Sequence, residues 1–173
     1  MKFAAKIILN SKLSSLKILY IHGGSEMGIT KVKELLPILF KITTEQIYID
    51  SFKLVEQDFN LIFSYAYRVK HLCITNWEVS NLGEDFKLPK KQKYKMKTLD
   101  LFWTCLQNNE EYLDERKTEV LFNAIKNSRL KESLQEVHLW DKDFNEEELE
   151  DIIHTLELDV SLKLDKITPK PLS

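Results

Sequence analysis

The stretch Met96-Lys97-Thr98-Leu99-Asp100-Leu101-Phe102, with Leu106 following, places apolar side chains at positions i, i+3, i+5 and i+10. Alternation across Leu99-Asp100-Leu101 suits a short strand buried on one face, because successive strand side chains point to opposite sides. The same template recurs in both directions. Toward the C-terminus it returns as Leu134, Val137, Leu139 and Phe144, and toward the N-terminus as Val69, Leu72, Ile74 and Val79. Further out, Ile47, Ile49 and Leu54 follow Thr44, and Leu16, Leu19 and Ile21 precede Glu26. Eighteen of these twenty template positions are apolar where the 43% hydrophobic composition gives about nine, so the repeat is the first fact the fold must satisfy.

The intervening positions agree. The pairs at i+1 and i+2 are Lys17-Ile18, Glu45-Gln46, Lys70-His71, Lys97-Thr98 and Gln135-Glu136, all polar except Ile18. A degraded sixth copy follows at Asp159, Leu162 and Leu164. The copies begin at 16, 44, 69, 96, 134 and 159, spacings of one strand-plus-connection unit apart from the longer step before Leu134.

Between the strands the period changes from two to about 3.6. Val32, Leu35, Leu36 and Leu39 follow Thr30, while Phe59, Ile62, Phe63 and Ala66 precede the third strand. Val120, Leu121, Ala124 and Ile125 precede the fifth. Asn145 to Leu156 opens with Asn145 and Glu148 in capping-box spacing and carries Leu149, Ile152, Ile153 and Leu156 as one stripe. Strands alternating with helices predict an α/β fold with parallel strands and helices covering one side of the sheet.

This pattern resembles the ribonuclease-inhibitor type of leucine-rich repeat, over residues 16 to 164. It departs from that family at i+8, where the family places Asn or Cys and this chain has Gly24, Phe52, Trp77, Thr104 and Lys142. The resemblance implies a leucine-rich-repeat solenoid of about five to six repeats, a curved parallel sheet with outer helices, that binds proteins on its exposed concave sheet. The expected organisation is an N-terminal capping helix over 1–15, the solenoid over 16–165 and a tail over 166–173, where Pro169 and Pro171 halt regular structure.

Composition narrows the function. At 173 residues with 30% charged, the chain is long enough for one core and not a disordered segment. No apolar run reaches the roughly 18 residues of a transmembrane helix. A formal charge of −2 argues against a strongly basic nucleic-acid binder on bulk electrostatics. Cys73 and Cys105 read as free thiols of a reducing compartment. The acid-free stretch Met1 to Ser25 is broken by Lys6 and lacks Arg, so the expected location is cytoplasmic, with mitochondrial or nuclear placement as the alternative. No Gly-rich phosphate loop occurs, and His22, His71, His138 and His154 lack metal-ligand spacing, so no cofactor, metal or enzymatic activity is expected.

Strand positions i+2, i+4 and i+6 are expected to project from the concave sheet, giving Tyr20, His22, Tyr48, Asp50, His71, Asp100, Phe102, His138 and Trp140 as partner-binding residues. Cys73, Asp100 and His138 share a column. However, Cys73 and His138 fall two strands apart, about 10 Å, too far for a nucleophile and its base. The leading expectation is a protein-binding scaffold or adaptor, or a subunit of a larger assembly. The alternative is a nucleic-acid or anionic-surface binder acting through residues 87–97, with lysines at 87, 90, 91, 93, 95 and 97. That insert is expected to be a solvated loop in place of the third helix. The acidic stretch Asn108 to Glu119 is expected to neutralise it.

Overall fold

The computed structural model describes residues 15–23, 34–50, 52–75, 78–80, 82–89, 93–102, 115–140 and 161–164, together with Glu147, Glu150, Asp151 and His154. Six strands form one parallel sheet: β1 (Leu16–His22), β2 (Thr43–Asp50), β4 (His71–Thr75), β6 (Thr98–Phe102), β7 (Glu136–Trp140) and β8 (Ser161–Leu164). They lie side by side in chain order. Two shorter strands, β3 (Lys53–Val55) and β5 (Glu78–Ser80), pair in parallel beyond the ends of β2 and β4, with Leu54 opposite Val79. These are the apolar i+10 positions of two neighbouring copies.

The register is the one the repeat requires. Leu19, Ile47, Leu72, Leu99, Val137 and Leu162 form one row, and Ile21, Ile49, Ile74, Leu101, Leu139 and Leu164 the next but one. Among Leu19, Ile21, Leu72, Ile74, Leu99, Leu101, Val137 and Leu139, all are buried except Ile21, which packs half-exposed on edge strand β1. One slip occurs: Leu16 lies opposite Thr43 rather than Thr44, because β2 takes up an extra residue before Gln46 pairs with Ile18. The Thr44 hydroxyl donates to the Leu16 carbonyl there, at 3.1 Å.

The helices α1 (Leu36–Ile42), α2 (Glu56–Tyr65) and α3 (Glu115–Lys126) pack on one face of this sheet. From α1 come Leu36 and Phe40, from α2 Phe59, Ile62 and Phe63, and from α3 Leu121, Phe122 and Ile125, all in the same core as the strand rows. Each such side chain withdrawn from water contributes roughly 1.5–3 kcal/mol. The ends are fastened locally. Asp58 accepts from the Val55 N–H that would otherwise be orphaned at the start of α2 (2.9 Å). After α3, Ser128 accepts from the Leu130 N–H (3.1 Å) and starts the 3-10 turn Arg129–Glu132. Phe52, between β2 and β3, is buried, so apolar packing fastens the chain where it leaves the sheet.

The segment leading into β6 corrects the expectation of a solvated loop. Leu88, Tyr94 and Met96 are buried, while Lys87, Lys93, Lys95 and Lys97 are exposed. Extended chain covers the core here in place of a helix, with alternate side chains turned inward. It is tied to its neighbour by the Lys95 N–H to the Tyr67 carbonyl (2.8 Å) and the Lys97 N–H to the Lys70 carbonyl (2.7 Å). Glu147, Glu150, Asp151 and His154 are helical and exposed, the polar side of the stripe read over Asn145 to Leu156, whose apolar members lie outside the described residues. Residues 1–14 and 165–173, and the acidic stretch before Glu115, also lie outside them. Among the described residues no helix is long and apolar enough to cross a membrane.

Candidate binding face built on two buried carboxylates

Because strand side chains alternate, the face opposite the helices collects Tyr20, Tyr48, Cys73, Asp100 and His138 in one register row. The row on one side holds Ile18, Gln46, His71, Thr98 and Glu136, and on the other His22, Asp50, Thr75, Phe102 and Trp140. Seven of the nine expected binding residues therefore share one face, and Phe102 and Trp140 hold matching register positions. The side chains of Phe102 and Trp140 lie outside what the structure describes.

The nine differ in access. Tyr20 is 61% exposed and Ile18 beside it is 56% exposed, among the largest apolar exposures of the described residues. The Tyr20 and Tyr48 rings are 6.2 Å apart, and Tyr48 meets the His71 ring edge-on at 5.8 Å. An aromatic line thus crosses three strands. Asp50 and Asp100, in contrast, are only 7% and 8% exposed, and Cys73 between them 3%. This corrects the expectation that the whole column projects.

The reason is the strand spacing of about 4.8 Å, which lets side chains of one strand close over a shorter one on the next. Asp50 Oδ2 accepts from the Tyr20 hydroxyl at 2.8 Å and faces His22 Nδ1 at 2.7 Å, while Oδ1 accepts from the Thr75 hydroxyl at 2.6 Å. Three strands meet on one carboxylate. Asp100 repeats the motif two strands along, with His71 Nε2 at 2.7 Å from Oδ2 and His138 Nδ1 at 3.2 Å from Oδ1. The second contact is close but misaligned, so Oδ1 and the far nitrogen of His138 are buried without a hydrogen bond among the described residues. Glu136 Oε2 stands 3.5 Å from that nitrogen.

The buried acids set the chemistry around them. Burial first, then the charges of Asp100 and Asp50, push the Cys73 thiol up to about 12. A thiol held protonated is a poor nucleophile. The Tyr20 hydroxyl is likewise raised, chiefly by its hydrogen bond to Asp50. Among the described residues, no group of three His, Cys, Asp or Glu side chains is arranged to hold a metal ion. Pairing of Asp100 with His138 was legible from their expected adjacent strands. The links His71–Asp100 and Tyr20–Asp50 run diagonally between rows and have no signal in a repeat template. No protein-family model, curated protein or solved structure matches the chain.

Proposed function

We propose that this chain is a divergent leucine-rich-repeat solenoid of about five to six repeats, acting without catalysis as a protein-binding scaffold or adaptor, or as a subunit of a larger assembly. The partner docks on the sheet face that carries Tyr20, Tyr48 and His71. One observation supports this above the rest: Ile18 and Tyr20, both more than half exposed, lie on that face and continue through Tyr48 and His71 as a line of rings. Large rings lose few rotatable bonds on binding and dominate interface energetics. The acids beneath the rings are tied to neighbouring strands, which pre-organises the line and lowers the entropic cost of docking. Free, buried Cys73 suits a reducing compartment such as the cytoplasm.

The experiment is a quantitative capture from native lysate with wild type and the Tyr20→Ala/Tyr48→Ala variant, each checked by thermal melt. Loss of one dominant captured protein from a variant that still melts cooperatively, with its midpoint lowered only by the lost Tyr20–Asp50 hydrogen bond, is the expected result. Identical capture profiles would move the docking surface off this face.

A further inference from the structure

Lys93, Lys95 and Lys97 do not stand alone in the folded chain. Parallel strands put all their amino-terminal ends on one edge of the sheet, and the residues just before those strands gather there. Lys41, in the last turn of α1 before β2, lies beside Arg68, whose guanidinium donates to the Lys41 carbonyl at 3.4 Å. Lys70, immediately before β4, lies beside Lys97, immediately before β6, their backbones joined at 2.7 Å. Lys95 is joined to Tyr67, next to Arg68, at 2.8 Å. All these basic side chains are exposed.

The stripe continues to the turn before β7. There Lys93, Arg129 and Lys131 surround one exposed acid, Glu132, and hold its carboxyl below the ordinary value, the Arg129 hydrogen bond first. Along this edge the described acids are few: Glu45 and Glu136 are half-buried, and Glu132 is committed to Arg129. The opposite edge, at the carboxyl ends of the strands, carries exposed Glu84 and Asp85 beside the acidic start of α2 at Glu56 and Asp58. A net charge of −2 therefore conceals a separation of charge across the sheet.

We infer that the amino-terminal edge of the sheet is a second binding site, for the phosphate backbone of a single-stranded nucleic acid. Successive strands step about 4.8 Å, so the row from Lys41 to Lys131 spans three steps, about 14 Å. That is a narrow cationic track along which a flexible strand can lay several phosphates. An anionic membrane fits the edge less well. Surface-bound proteins add apolar insertion to charge, and of the exposed large apolar residues Tyr20 and Val55 lie further along the sheet face and at the carboxyl ends of the strands, leaving Ile18 alone beside this edge.

The test is fluorescence anisotropy with a labelled 20-nucleotide mixed-sequence RNA across 50–200 mM KCl, using the whole chain. About four phosphate contacts give a log–log salt slope near −3, hence roughly a 50-fold loss of affinity over that range. Lys70→Gln with Lys97→Gln removes two contacts, so the slope becomes shallower by about 1.4 at an unchanged melting midpoint. Lys93→Gln with Lys131→Gln serves as an independent second pair expected to act alike. Tyr20→Ala, on the other face, should leave RNA binding untouched. The inference is overturned by no RNA binding at 50 mM KCl, or by slopes that neither variant pair alters. Equal binding to vesicles of 30% anionic lipid at matched phosphate concentration would likewise overturn it.

Discussion

Tyr94 carries a buried hydroxyl that finds no hydrogen-bond partner among the described residues, and burial pushes it up to about 12. An unmade buried hydrogen bond costs about 1–3 kcal/mol, so Tyr94→Phe should leave the protein equally stable or more stable at pH 7. The sign with pH follows directly. The folded value lies above the unfolded value near 10, so stability is intact below about pH 10 and is lost as pH rises toward 12. Cys73 adds to the same alkaline loss from about pH 9 upward. Urea unfolding of Tyr94→Phe between pH 9 and 12 should show a flatter decline than wild type, and a parallel decline would remove Tyr94 as its cause. Cys73 makes its own prediction at pH 8. Its native alkylation by iodoacetamide should run at least about a hundredfold slower than in the denatured chain, since the thiolate fraction sets the rate. Rapid native labelling would place Cys73 outside the buried pair of acids.

At the scale of elements, the segment before β6 is the informative one. Its described residues form no helix, yet Met96 is fully buried and Tyr94 nearly so. Met96→Ala should therefore cost about 2–5 kcal/mol, as in any core, although its neighbours are Lys95 and Lys97. A chemical-denaturation midpoint shifted by less than 1 kcal/mol equivalent would return this segment to the surface. Helix α2 offers a milder case. Asp58→Ala removes the acceptor of the Val55 N–H and an acid from the first turn, and should cost about 1 kcal/mol. Its effect should be local, read as faster amide exchange at Val55.

For the whole molecule, each strand row is completed by its neighbours. β7 lies against β6, and β8 against β7. Ending the chain after about residue 130 removes both strands and leaves β6, with Leu99 and Leu101, as an open edge. In a fold of nearest-neighbour contacts, the remaining part loses an interface that no other part replaces. The 1–130 fragment should fail to melt cooperatively by calorimetry; a sharp transition would show that the first strands fold independently. The two proposed surfaces are likewise separable. Lys70→Gln with Lys97→Gln should leave capture of the sheet-face partner unchanged.

Local periodicity by itself determined which residues are buried in the strands and which strands are neighbours. A side chain alternates with period two whatever surrounds it, and five apolar templates in series leave little choice of register. Leu99 and Leu101 could be placed inside, and Tyr20 and Tyr48 on one face, before any coordinate. Lysine content marks this segment as solvated and hides Leu88 and Tyr94, although Lys93-Tyr94-Lys95-Met96-Lys97 alternates as plainly as a strand and Met96 is itself a template position. Period-two alternation also sets Asp50 and Asp100 on the same face as Tyr20 and Tyr48 without grading their access. Only the tertiary structure decided that Asp50 and Asp100 lie beneath their neighbours and that Lys41, Arg68, Lys70 and Lys131 join the lysines near 95. Both outcomes depend on side chains about 25 or more residues apart in sequence meeting across a 4.8 Å strand spacing, and a single chain's pattern carries no term for that.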